Sequence, residues 1–175
     1  MPSSWILQTL SGNCPVAEAP VVNASPLIFL SRSNLLHLLR LAGETVIVPA
    51  VVAEEINRRG PDDPTARALH DNAWLQVRAT PAVPDSVRVW DLGDGESGVL
   101  SWALAHPGSE AILDDLAARR CAATLQIPVR GTLGLVLLAK QRGVIPSART
   151  VLNQLRDSGM YLSDRVLNQA LALVE

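Results

Sequence analysis

Strand-like and helix-like hydrophobic patterns alternate along this chain from Val21 onward. The β-branched run VVNAS comes first. SPLIFLSRSNLLHLLRLAG follows, with Leu27, Leu30, Leu35, Leu38 and Leu39 at helical spacing. Ser25 as N-cap with Pro26 at the first helical position predicts the start of this helix, and Gly43 its end. TVIVP reads as a second strand and AVVAEEINRR as a short helix opened by Pro49. DDPTARALHDNA is a helix and WLQVRA a strand, whereas TPAVPDSVRVWDLGDG, broken by Pro and Gly, reads as a loop or linker. The alternation then resumes with a helix over 95–106, strand EAILDD, helix LAARRCAATLQ, strand IPVRG and helix TLGLVLLAKQRG. Two more helical segments, SARTVLNQLRDSG and SDRVLNQALALVE, close the chain.

Strands and helices alternating over short connections predict βαβ units, hence a three-layer α/β/α fold with a mainly parallel central sheet. The all-apolar runs VIVP and AIL fit strands covered on both faces. A length of 175 residues fits one domain. Residues 1–19, mixed and without period, read as an N-terminal extension, and residues 20–175 as the domain. The amphipathic pattern of the last two helices (Val151, Leu152, Leu155; Val166, Leu167, Ala170, Leu171) reads as core packing, with a structural interface as the alternative.

Composition narrows the picture. The chain is 48% apolar and 18% charged, which excludes disorder. With four Trp, one Tyr and one Phe, aliphatic side chains must fill the core. A formal net charge of −2 gives no global basic field, so a nucleic-acid partner has to meet a local patch. Of the fifteen basic residues all but Lys140 are Arg, a bias that suits phosphate and that a GC-rich genome produces equally well. Cys14 and Cys121 stand alone, without zinc spacing, which points to a reducing compartment. The first twenty residues lack the pattern of a signal peptide, and the longest apolar run, Leu133 to Ala139, is too short to span a membrane. The expectation is a soluble cytoplasmic protein.

Functional groups on a doubly wound sheet gather at the carboxyl ends of its strands. Those positions hold Asn23 to Ser25 after the first strand, Glu54 and Glu55 on the helix after the second, and Asp114 and Asp115 after AIL. Asp94 and Glu96 open the helix that follows the loop. Each has a local explanation: first-turn carboxylates are favoured by the helix dipole, aspartates cap helices, and a Glu pair can be solvated. Convergence is what points further. Carboxylates on one rim repel unless a cation sits among them, and hard oxygen ligands suit Mg²⁺ or Mn²⁺. The sequence holds no Ser/His/Asp set and no P-loop.

In this order, VVNASPLIFL, VPAVVAEEI, LGDGESGVLSWALA and ILDDLAARRCAATLQIPVRGTLGLVLLAKQRG resemble the PIN-domain superfamily, and within it a branch of PIN-like proteins close to VapC toxins. The resemblance runs from Val21 to the C-terminus. It implies acids that bind one or two divalent ions, Mg²⁺ or Mn²⁺, and hydrolyse single-stranded RNA. Their positions here are Asn23, Glu55, Glu96 and Asp114, with Asp115 beside the last. The family spacing of Pro, Val three on and Glu three further selects Glu55 over Glu54. Strand alternation puts Asp114 on the face of Ile112 and favours it over Asp115. Glu55, Glu96 and Asp114 are the expected catalytic residues, with Asn23 and Asp115 as further metal ligands. Where the family has its first Asp this chain has Asn23, which can ligate through its carbonyl but brings no charge.

Ser25, Arg119 and Arg120 are the expected substrate contacts, with Arg58 and Arg59 beyond Glu55. Thr132 either donates a hydrogen bond near the site or caps its own helix, the cap being preferred. His37, His70 and His106 share no spacing and receive no role. The resemblance implies a toxin endoribonuclease with RNA as substrate, a small antitoxin as partner and a homodimer as assembly. The alternative is a catalytically weakened PIN-fold module that binds RNA or a protein partner.

Overall fold

The computed structural model describes residues 18–174, so most of the expected extension, and Cys14 with it, lies outside the described residues. Five strands form the sheet: β1 Val21–Val22, β2 Val46–Pro49, β3 Leu75–Arg78, β4 Ala111–Ile112 and β5 Val129–Arg130. Their order is β3-β2-β1-β4-β5 and every pairing is parallel. Val21 pairs with Ile47 on one side, and Val21 and Val22 pair with Ala111 and Ile112 on the other. All these residues except Ile47, at 6%, are fully buried, because helices cover both faces of the sheet and leave no solvent side for an alternating pattern. The chain leaves β1 toward β2 and later returns to β4 on its opposite side. The carboxyl ends of β1 and β4 therefore bound a topological switch point.

The helices are α1 Ala24–Arg32, α2 Ala50–Asn57, α3 Pro64–Asp71, α4 Asp85–Arg88, α5 Asp94–Ala105, α6 Leu116–Thr124, α7 Thr132–Gln141, α8 Ala148–Asp157 and α9 Asp164–Leu171, with a 3₁₀ helix over Leu36–Leu41. The three-layer reading holds, with the sheet wholly parallel. Two local expectations need correction. The single helix expected from Ser25 to Gly43 is broken at Ser33, and its N-cap is Asn23. Ser33 is 3% exposed; its hydroxyl donates to Ser158 Oγ at 2.7 Å and its carbonyl accepts from Gln154 Nε2 at 2.6 Å, while Asn34 takes the left-handed conformation. Contacts with α8 and its end thus hold the break. The expected loop between β3 and α5 contains the short α4.

On α8 and α9, Val151, Leu152, Leu155, Leu167, Ala170 and Leu171 are all buried against the core. Core packing is their role. No helix among the described residues is long and apolar enough to cross a membrane.

Asp63 shows how the helix starts are held. It caps α3 by accepting from Thr65 N–H at 2.8 Å, and Arg59 Nε donates to it at 3.0 Å. Burial pushes its carboxyl up, but the hydrogen bonds from Thr65 and Arg59 and the Arg59 charge outweigh that and hold it at about 2. A depressed carboxyl contributes stability that is complete above its unfolded value, 3.8, and is lost as pH falls through about 2. Asp63→Ala therefore costs about 1 kcal/mol at neutral pH, roughly 2–4 °C in melting temperature. Thermal melts of variant and parent converge as the pH drops from 3.8 toward about 2.

Candidate metal centre

Asn23 leaves the carboxyl end of β1 in extended backbone and is 3% exposed. Its backbone N–H donates to Ile112 O at 3.1 Å, which ties the end of β1 to β4. Its side-chain Nδ2 donates to Glu96 Oε1 at 2.9 Å, and its Oδ1 is buried with no hydrogen-bond partner. Glu96 lies in the first turn of α5, whose N-terminal dipole favours a carboxylate. Glu55 reaches the same place from α2, where Val52 and Ile56 are buried and aim this side of the helix inward.

Two glycines make the space. A Cβ on Gly95 would lie 2.6 Å from Asn23 Oδ1 and 3.2 Å from Glu55 Oε2, and one on Gly93 would lie 2.5 Å from Glu96 Oε2. Oxygens of three residues thus crowd the start of α5. Glycine is a poor helix residue, so Gly93 and Gly95 flanking Asp94 in GDGES are the sequence signal for this close approach.

The electrostatics agree. Burial and then the Glu96 charge raise the Glu55 carboxyl above the ordinary value, with Arg59 and Arg58 opposing. Glu55 is exposed as a residue, but the Oε2 end approaches the buried Gly95, and that end carries the charge. Two carboxylates held together in this way favour a cation between them.

The fourth expected acid is hydrogen-bonded to Thr132. Asp114 Oδ1 accepts from Thr132 N–H at 2.7 Å and Oδ2 from the Thr132 hydroxyl at 2.6 Å. Burial raises its carboxyl, while the two Thr132 bonds and the Arg119 charge pull the other way. Arg119, partly buried, donates through Nη1 to Leu113 O at 3.1 Å. A Cβ on Gly131 would meet both Arg119 Nη1 and Asp114 Oδ1, at 2.6 and 3.0 Å. Thr132 is therefore a donor to Asp114, and the preferred reading of it as a helix cap is corrected; Gly131 holds the cap position. Asp115 caps α6 by accepting from Ala118 N–H at 2.8 Å.

Ser25 lies in the first turn of α1, partly exposed, and Arg58, Arg59 and Arg120 are exposed. Arg59 is paired with Asp63. His70 meets Asp71, and His106 stacks on Trp102. A groove of about 320 Å³ has Val51, Thr80, Leu92, Asp94 and Ser97 among its walls. Val51 stands one turn before Glu55, and Asp94 and Ser97 bracket Glu96.

Among the described residues, no three His, Cys, Asp or Glu side chains are grouped so as to hold a metal ion. The donor set here is two glutamates and an asparagine carbonyl, and it fits a hard divalent cation on two counts: an orphaned buried oxygen and a cradle that a Cβ would fill.

A parallel α/β sheet with oxygen ligands at its switch point defines a class of proteins suited to phosphoester chemistry. A family model described as PIN domain matches residues 19–175, and the chain belongs to that family. PIN domains are in general nucleases and typically use divalent metal ions. No curated protein and no solved structure matches the chain significantly.

Proposed function

We propose that this PIN-domain protein is a divalent-metal-dependent endoribonuclease acting on single-stranded RNA, and the toxin of a toxin–antitoxin pair. The observation that carries the nuclease reading is the convergence of Asn23 Oδ1, Glu55 and Glu96 around Gly95 at the carboxyl edge of the sheet. These three residues would hold Mg²⁺ or Mn²⁺. A bound ion supplies an activated water and offsets charge building on the scissile phosphate. Glu55 and Glu96 provide the negative charge that draws the cation, and Asn23 adds a neutral oxygen.

The groove along Val51, Thr80 and Leu92 offers an apolar wall to the nucleotide next to the scissile bond. Arg58 and Arg120, both exposed, supply cations for backbone phosphates on the helices near the acids. Cleavage of a labelled single-stranded RNA is expected with Mn²⁺ or Mg²⁺, to stop with EDTA and to return when the metal is restored in excess. Cleavage untouched by EDTA would rule this chemistry out. The toxin assignment rests on the resemblance to VapC-like proteins, and a short overlapping gene upstream, encoding a protein that binds this chain, is its test.

A second reading has its own observation. Asn23 brings no charge, so the site carries less charge than four acids would. On that reading the domain binds RNA or a protein without cutting. Calorimetric titration separates the two: Mn²⁺ binding that is lost in Glu96→Gln supports the enzyme.

A further inference from the structure

Asparagine at a helix N-cap ordinarily turns its side-chain oxygen back onto the free N–H groups of the first turn. Asn23 occupies that position on α1, in suitable extended backbone, and makes no such bond. Its side chain turns instead to Glu96, 73 residues away, where Nδ2 donates at 2.9 Å. Oδ1 is left buried without a donor. The reversed amide would press Oδ1 against the Glu96 carboxylate, so charge determines which end donates. The residue thus forgoes a local bond on its own helix and leaves an acceptor unsatisfied beside Glu55 Oε2, as the Gly95 geometry records.

An aspartate at this position would have no donor to offer. Three carboxylates would then face one another, and they would hold together only with a cation among them. The amide removes that requirement.

We infer that Asn23 is the positioning residue of this site: its N–H holds Glu96 in place in the ion-free protein, and its Oδ1 is kept as a neutral ligand. The site is therefore assembled before the ion arrives, and it binds a divalent ion more weakly than an all-acid site would. Asp114 is engaged by Thr132 and Arg119 and does not take over the role. This inference rests on the metal-site reading above.

The test compares full-length wild type, Asn23→Asp, and Asn23→Asp combined with Glu96→Gln, by thermal melting without metal and by Mn²⁺ titration calorimetry. Without metal at neutral pH, Asn23→Asp is expected to melt more than about 5 °C below wild type. It is also expected to bind Mn²⁺ about tenfold tighter, because ligand charge sets affinity. Should it fail to fold without metal, Mn²⁺ is expected to restore the fold. The double variant has the donor and acceptor exchanged and the wild-type charge count, and it is expected to melt within about 2 °C of wild type. A merely structural role for Asn23 would not be restored by that exchange.

Wild type that takes up no Mn²⁺ would remove the metal-site reading itself. Wild type that binds Mn²⁺ while Asn23→Asp melts unchanged and binds no tighter overturns the inference alone.

Discussion

Glu96→Gln is expected to reduce Mn²⁺-supported RNA cleavage by at least about a hundredfold while the protein keeps its fold. The residue is suited to such a separation of effects. Its carboxylate is one of the two in the proposed donor set, so the neutral amide halves the charge which that set offers a cation. Its Oε1 accepts from Asn23 Nδ2, and the Gln carbonyl can still accept that bond, so the packing between β1 and α5 survives. The variant also removes the charge that helps raise the Glu55 carboxyl, which brings Glu55 back toward its ordinary value. Initial rates on a single-stranded RNA, together with a thermal melt of the same preparation, check both halves. Full activity in a folded Glu96→Gln protein would mean that cleavage is organised elsewhere.

The largest expected effect on stability belongs to Asp114. Truncation to Ala removes both acceptors of Thr132, which is fully buried, and leaves the partly buried Arg119 without the carboxylate beside it. Breaking such a set by deleting one member costs about 3 kcal/mol, or roughly 6–12 °C in melting temperature for a domain of this size. Asp114→Asn is milder, because one amide oxygen can still accept from Thr132 while its NH₂ faces the other donor. Thermal melts give the order wild type, Asn, Ala. The position is silent in stability only if Thr132 finds another acceptor, and an Ala variant that melts like wild type would establish that. Mn²⁺ affinity of the Asn variant is the separate measure of any role as ligand.

Much of the fold was legible because its signals are local. Period-3.6 and all-apolar runs reflect the immediate surroundings of each segment, and from them followed the alternation, the parallel sheet and the carboxyl edge. The selection of Glu55 over Glu54 came with the family spacing, and it is Glu55 that approaches Gly95 in the structure. Long-range partners left no such trace. The break at Ser33 depends on Gln154 and Ser158, 121 and 125 residues away. Thr132 looks like a cap from its neighbours alone, and only the return of β5 beside β4 brings Asp114 to it.

By itself the sequence determined the class of fold, the order of the elements and the residues available for chemistry, because hydrophobic period and residue type act over one or two turns. Only the tertiary structure decided which of those residues share a site. Asn23 gave up its own helix for Glu96, and Thr132 turned to Asp114. Both choices turn on hydrogen-bond donors that chain closure brings near, and a donor's position in space is not encoded in the residues next to its acceptor.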